Sequence, residues 1–408
     1  MSGQTVLVCG GGHPQQVLVE ALAALDVRVV VADDRPGVPA YGLADEVIPI
    51  GRYDYPRLLA WARANRPHRV ASGGSDEAVF VAVRLAEALG LPSPISAATA
   101  EMPMRKARTR ERLAAAGVPC PVTVKGDADT IRNVDWTAFR FPVVVKPDEG
   151  IGQTGVNRAD DIAQAQASIE AALAATKNGV AIIQELADGE EIGINALVVA
   201  SRVRLMTTSY RRSSRERGPR FGVAMEKVFP AVTDPDPLGA LAGIVERACA
   251  AMGIENGPIY AQVIMDAAPG RDPRFTMIEI MPRLGGGEDP RLVRAATGFQ
   301  LARATALMWL GRPIELAGLY DGPGHPAAVL RFLAADPGEI VDVSGVEAAR
   351  EAPGVKAADV FYTAGYRLKA LSSSRERAGY VLAVGSDPDG ASRAAAAAAA
   401  MITIKTRG

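Results

Sequence analysis

Along the first ninety residues, short apolar runs rich in β-branched residues alternate with stretches whose apolar positions recur every three or four residues. Thr5 to Cys9, Val27 to Ala32 and Arg69 to Ala71 read as buried strands, whereas Gln15 to Leu25, Leu58 to Ala64 and Glu77 to Leu89 carry the helical period. Strands alternating with helices predict a doubly wound parallel sheet. Gly90-Leu91-Pro92 stops the last helix, so a first domain is expected over 1–95. Gly10-Gly11-Gly12 falls where the first strand turns into its helix. The run lacks the last glycine of the dinucleotide fingerprint, which favours a plain tight turn over cofactor binding.

Further on, the pattern predicts a helix over Arg105 to Ala116, closed by Gly117 and by Pro119 and Pro121, then a strand over Pro142 to Lys146. Val180 to Leu186 and Glu191 to Val199 read as two strands joined at Asp188-Gly189. Helix Leu238 to Ala251, strands Ile259 to Met265 and Phe275 to Met281, and helix Arg291 to Leu310 follow. The last eighty or so residues mix short strands with a seven-alanine helix, Ala394 to Ala400.

Composition narrows the class. The chain has 408 residues, 48% of them apolar and 22% charged, and 45 basic residues nearly cancel 46 acidic ones. A near-neutral balance argues against nucleic acid or an anionic membrane as main partner, because either favours a surplus of Lys and Arg. Cys9, Cys120 and Cys249 lie more than a hundred residues apart, which suggests neither a disulfide framework nor a zinc site. The opening residues show no basic leader with a long apolar core, and no apolar run reaches membrane-spanning length, so a cytoplasmic location is expected.

Candidate chemistry starts at Phe141-Pro142-Val143-Val144-Val145-Lys146-Pro147, which places a lysine at the end of a strand apolar enough to be buried. A buried cation needs an anion. Gly150-Ile151-Gly152-Gln153-Thr154-Gly155 follows, a loop whose backbone N–H groups could wrap a polyphosphate, since glycine permits close approach and unusual dihedrals. The competing reading is an ordinary hairpin loop after a lysine whose head reaches solvent.

Other segments supply further pieces of nucleotide chemistry in a recognisable order. Arg105-Lys106-Ala107-Arg108 with Leu113 to Pro121 resembles the ATP-grasp signature in which a lysine opens a helix ending in a Gly-Val-Pro-x-Pro turn. Phe141 to Pro147 and the loop after it resemble that family's second lysine and phosphate lid. Ile182-Ile183-Gln184-Glu185-Leu186 with Asp188-Gly189-Glu190-Glu191 resembles its adenine hinge and ribose carboxylate. Met277-Ile278-Glu279-Ile280-Met281-Pro282-Arg283 resembles its metal-binding strand. The motifs span 105–287, and the region from about Gly324 to Gly408 looks like the extra C-terminal domain of the amino-acid ligase branch.

The fold implied is α/β, or more closely the α+β ATP-grasp: an N-terminal parallel-sheet domain over 1–95, an ATP-grasp lid and body over 96–322 with the lid at about 122–186, and a small C-terminal α+β domain over 323–408. The resemblance assigns Lys106 and Lys146 to the α and β phosphates. Gly150, Gly152, Gln153, Thr154 and Gly155 would cover the β and γ phosphates, Gln184 or Glu185 with backbone near Leu186 would meet adenine, and Glu191, or else Glu190, would meet the ribose. Neighbours on a strand face opposite ways, so only one of the two acids should point inward.

The metal strand departs from the family pattern. Mg²⁺ wants oxygen ligands, and the family commonly uses an acid on one strand and Glu-x-Asn on the next. Here Gln262 falls at the first position, Glu279 at the second, and Met281, a soft thioether, replaces the asparagine. Glu279 is then the one strong ligand, with Gln262, waters and phosphate oxygens, or Glu288 or Asp289, available to a second ion. Arg283 would contact the transferred phosphate, and Gly286 and Gly287 would border the substrate pocket. The charged stretch Tyr210 to Lys227 reads by itself as a solvated loop. Its place in the family pattern makes Arg220 or Lys227 candidates for a substrate carboxylate and Glu226 for an amine.

The activity implied is ATP-dependent carboxylate-amine ligation through an acylphosphate, with ATP and Mg²⁺ as cofactors, small carboxylic acids and amines as substrates, Lys146, Arg283 and Glu279 at the reacting end, and a homodimer as a common assembly. The rival readings are a bicarbonate- or purine-pathway-type member and a nucleotide-binding protein that has lost turnover, the last motivated by Met281.

Overall fold

The computed structural model describes residues 3–149, 155–213, 223–268 and 270–408. Four strands, β1 (Thr5–Cys9), β2 (Arg28–Ala32), β3 (Glu46–Ile48) and β4 (Arg69–Ala71), form a parallel sheet in the order β3-β2-β1-β4. All but the first residue of β1 and of β2 are buried. That burial explains why both read as unbroken apolar runs rather than alternating ones.

A second, antiparallel sheet contains β5 (Thr123–Gly126), β6 (Val143–Pro147), β7 (Asn157–Ala159) and β8 (Ala181–Glu185) in the order β5-β8-β6-β7. Val143, Val145 and Ile183 pack on Ile169 and Ala172 of helix Ile162–Ala175. The alternation turns Val144, Lys146 and Gln184 to the opposite face.

The largest sheet is antiparallel throughout. It includes β9 (Glu190–Val199), β10 (Arg202–Ser213), β11 (Ala224–Phe229), β12 (Gly257–Asp266), β13 (Arg274–Met281) and β14 (Ala327–Leu333). Of the remaining strands, β15 (Gly338–Ser344), β17 (Arg367–Leu368) and β19 (Thr403–Arg407) make a small separate sheet, while β16 (Val355–Val360) and β18 (Gly379–Gly385) complete the large one. Its order is β13-β12-β9-β10-β11-β14-β18-β16. Ile192, Ile194, Ala196 and Val198 of β9 bury against Leu241, Ile244, Val245 and Ala248 of helix Pro235–Met252. Glu191, Gly193 and Asn195 therefore face the other way, towards the first two sheets.

Two expectations change. The stretch from Tyr210 to Lys227, read as a solvated loop, includes the end of β10 and most of β11, where Tyr210 pairs with Val228 and Arg211 with Lys227. Charged side chains at buried positions hid the two-residue period. The helix expected over Arg291 to Leu310 is two helices, Asp289–Thr297 and Leu301–Leu310. They are separated at Gly298, which takes φ +74° and where a Cβ would stand 1.9 Å from the Gly322 carbonyl oxygen. β14 pairs with β11 in register Glu226 to Arg331, so the large sheet continues past the expected boundary at 322/323. Among the described residues, no helix is long and apolar enough to cross a membrane.

Candidate active site

Lys106 is the first residue of helix Lys106–Ala115, whose N-cap Arg105 supplies no side-chain cap. Asp148, just beyond β6, takes that role from across the cleft. Its Oδ1 accepts from the Ala107 N–H at 2.6 Å, its Oδ2 accepts from Asn178 Nδ2 at 2.8 Å, and its backbone carbonyl accepts from Lys106 Nζ at 3.2 Å. A carboxylate at a helix N-terminus satisfies orphan donors and the helix dipole together. Arg110, one turn along, donates to the Met277 and Ile278 carbonyls at 2.7 Å each and fastens this helix to β13.

Lys146 Nζ donates to Gln184 Oε1 at 2.8 Å, and Gln184 Nε2 is buried with no hydrogen-bond partner among the described residues. Burial pushes the Lys146 amine well below the ordinary lysine range, with the positive charges of Arg110 and Lys106 adding to the effect and Glu279 opposing it. Burial likewise lowers Lys106, against Glu279, Asp148 and Asp76. Glu185 points away from Gln184, and its carboxylate accepts from the Arg140 N–H at 2.7 Å. The Leu186 N–H is donated to the Pro142 carbonyl at 3.0 Å. Glu191 pairs with Arg211 on the cleft side, whereas Glu190 is exposed.

Between β12 and β13, Gln262 stands directly opposite Glu279, and Tyr260 opposite Met281. Burial raises the Glu279 carboxyl, Asp76 adds to the rise, and Arg211, Arg283 and Lys146 oppose it. Met281 is 4% exposed, and its sulfur accepts from Arg283 Nη2 at 2.8 Å. Arg283 also grips Asp76 through Nε at 2.6 Å and Nη2 at 3.1 Å, and its Nη1 reaches the Leu284 carbonyl at 2.9 Å. The alternatives for a second ion, Glu288 and Asp289, are engaged elsewhere: Glu288 with Arg291 at 2.6 Å, Asp289 with Lys227 at 2.6 Å.

Lys227 is 3% exposed and also donates to the Gly286 carbonyl at 3.3 Å. Burial pushes its amine down to about 8 against the pull of Asp289. Glu226 stands apart from Lys227. It lies on the opposite face of β11, paired with Arg212 at 3.3 Å and with Arg331, so it does not join Lys227 in one pocket. Gly287 takes φ +73°, and a Cβ there would stand 2.9 Å from Arg377 Nη1. Gly155 precedes β7 at φ +72°. Gly150, Gly152, Gln153, Thr154 and Arg220 lie outside the described residues. At the N-terminal glycine cluster, the Gly11 N–H donates to Asp33 at 3.0 Å, and a Cβ on Gly12 would meet Arg35 at 2.9 Å. The chain's own side chains fill that turn.

Lys106, Lys146, Gln184, Glu191, Gln262, Glu279, Arg283 and Lys227 thus gather around one cleft. Asp76, Arg110, Asp148 and Arg377 complete it without having been anticipated. Only Asp76 carries a signal in the chain, an acid opening the helix after Gly73-Gly74, at the carboxyl end of β4 where open α/β sheets place ligands.

A family profile described as ATP-grasp domain matches residues 104–287, and one described as L-amino acid ligase C-terminal domain 2 matches residues 331–407. Dapdiamide A synthase of Enterobacter agglomerans is 27% identical over 327 residues, 77% of this chain and 74% of that protein. The L-amino acid ligase of Bacillus licheniformis superposes with a TM-score of 0.80 at 20% identity, over 100% of this chain and 99% of that one. Phosphoribosylglycinamide synthetase of Anaerococcus prevotii superposes with a TM-score of 0.78 at 17% identity, over the full length of both. These two structural likenesses speak to the fold, whereas the two sequence profiles lie on the segments that build the cleft and its C-terminal wall. The chain carries an ATP-grasp domain and an L-amino acid ligase C-terminal domain, and its homologues include ATP-dependent ligases that form C–N bonds.

Proposed function

We propose that this protein joins a small carboxylic acid, an amino acid or a relative of one, to an amine with consumption of ATP. The observation that carries the reading is the set Lys106, Lys146 and Glu279 around one cleft with the unpartnered Gln184 Nε2. Two half-buried amines at lowered pKa stand close to an orphaned amide donor, and the phosphates and base of a nucleotide would satisfy that donor and stabilise both charges. Lys106 and Lys146 hold phosphates, Gln184 turns its free N–H to the base or a phosphate oxygen, and Glu191 exchanges Arg211 for ribose hydroxyls.

The donors around Glu279 fit one magnesium ion. Among the described residues no cluster of three or more His, Cys, Asp or Glu side chains forms a cage. Glu279 and Gln262 would hold the ion together with phosphate oxygens, the usual arrangement for magnesium at nucleotides. The carboxylate would take the γ-phosphoryl group of ATP with release of ADP, and the amine would then attack the acyl carbon of the acylphosphate, lose a proton and expel phosphate to leave the amide. The chain's own part is positioning and charge: Arg283, held by Asp76, faces the transferred group, and Lys146 neutralises negative charge as it shifts.

The test is an acid-by-acid screen with Mg²⁺, ATP and hydroxylamine as generic amine, reading ADP and acyl hydroxamate. Acid-dependent ADP with hydroxamate supports the reading. Bicarbonate alone driving ADP release would favour the carboxylase-type alternative. Met281 at the ligand position motivates a nucleotide-binding protein without turnover, and ATP binding with no ADP under every acid would establish it.

A further inference from the structure

Arg377 enters the cleft from the C-terminal segment. Ser373 and Glu376 cap the turn before it reciprocally, with Glu376 Oε2 accepting from the Ser373 N–H at 2.8 Å and from its hydroxyl at 2.6 Å. The guanidinium lies 3.8 Å from the ring centroid of Phe332, donates to the Ala224 carbonyl and abuts Gly287. It is 5% exposed, its Nε has no hydrogen-bond partner, and among the described residues no carboxylate forms a salt bridge with it. The carboxylates nearby are taken. Asp289 is held by Lys227 and Asn195, and Glu191 by Arg211. Arg211 also faces Glu279, but the one carboxylate that acts on Arg377 is Asp289, and Lys227 and Asn195 already hold it. Burial and the neighbouring Arg211 lower the Arg377 guanidinium to about 10, still protonated at neutral pH.

A buried guanidinium without a counter-ion is costly, and its planar fork matches a carboxylate. We infer that Arg377 is a substrate-binding residue that grips a carboxylate of the substrate which does not itself react, beside Lys227 and the Gly286-Gly287 backbone. This rests on the ligase reading above and names its substrate class. The carboxylate belongs either to an amino-acid acceptor or to a dicarboxylic acid donor.

The experiment compares wild type, Arg377→Met and Arg377→Lys. Acceptor KM is measured for each L-amino acid and for its primary amide, and donor KM for succinate and malonate against their monoamides with hydroxylamine as amine. Arg377→Met should raise KM for the carboxylate-bearing partner about 30-fold or more, as for truncation of a buried charge pair, and so erase the preference for acid over amide. Arg377→Lys should lie between. Loss confined to amino-acid acceptors assigns the acceptor carboxylate, and loss on the diacid assigns the donor. An equal rise for acid and amide, or none, overturns the inference while wild-type turnover leaves the ligase reading standing. Thermal stabilisation by MgATP reports folding of each variant. If the methionine variant does not fold, the lysine variant carries the comparison. If wild type turns over no acid, stabilisation by the same amino acids and diacids decides: a shift larger in wild type than in the variant supports the site, and an equal shift overturns it.

Discussion

Arg283 and Asp76, 207 positions apart, meet in a forked ion pair with contacts of 2.6 and 3.1 Å. Asp76 opens the helix that follows β4 of the parallel sheet, and Arg283 follows β13 of the large sheet, so the pair ties two sheets together at the cleft. A planar guanidinium held at one edge by a carboxylate presents the other edge in a fixed direction.

Asp76→Asn should therefore release Arg283. The pair is only partly shielded, at 11% and 20% side-chain exposure, so the stability loss should fall below the roughly 3–5 kcal/mol seen for fully buried pairs. Turnover should drop about tenfold or more through lost positioning, with Asp76→Glu recovering part of it. Steady-state kinetics with a thermal melt separates the two effects; unchanged kcat would show that the pair is only a staple.

Lys146→Ala should weaken ATP binding by about 10- to 100-fold, the range for a hydrogen bond to a charged group. The buried amine has a lowered pKa, and phosphate beside it would raise that pKa again. Between the lowered value and the ordinary 10.5, binding must take up a proton, and affinity must fall as pH rises through the bound-state value. Calorimetry in buffers of different ionisation enthalpy measures that uptake, which should vanish in the alanine variant.

Glu279→Gln removes the carboxylate proposed as metal donor but keeps shape. Because burial already disfavours the Glu279 charge, the neutral amide should leave the melting temperature near wild type. Magnesium-dependent turnover should fall about 100-fold or more. Full activity would remove β13 from the metal site.

Met281→Asn places an oxygen where the thioether now accepts from Arg283. Magnesium titration of nucleotide binding should show tighter metal dependence, since an amide oxygen suits the hard ion and sulfur does not. No change would place position 281 outside the metal's reach.

Lys227→Met leaves Asp289, at 0% exposure, as an unpaired buried charge. Destabilisation of about 3–5 kcal/mol is expected, and adding Asp289→Leu should recover at least half of it, because a buried pair replaced by apolar groups costs little. Chemical denaturation of the single and double variants measures the difference.

Local patterning alone determined three strands of the parallel sheet though not β3, the helix opened by Lys106, and the strands that carry Lys146, Gln184 and Glu279. Each is specified by periodicity and turn residues within about fifteen positions. The order of those motifs along the chain was enough to place them in one family. The charges of β10 and β11 were legible as residues but not as strands, because Arg211 and Lys227 look solvated until a partner from a distant segment neutralises them. Folding alone decided the partners. Asp76 meets Arg283, Asp289 meets Lys227 and Arg377 reaches Gly287 across separations of about 60 to more than 200 residues. The face on which Glu226 falls was likewise set by register against Arg331 in β14, and no window of local sequence contains that pairing.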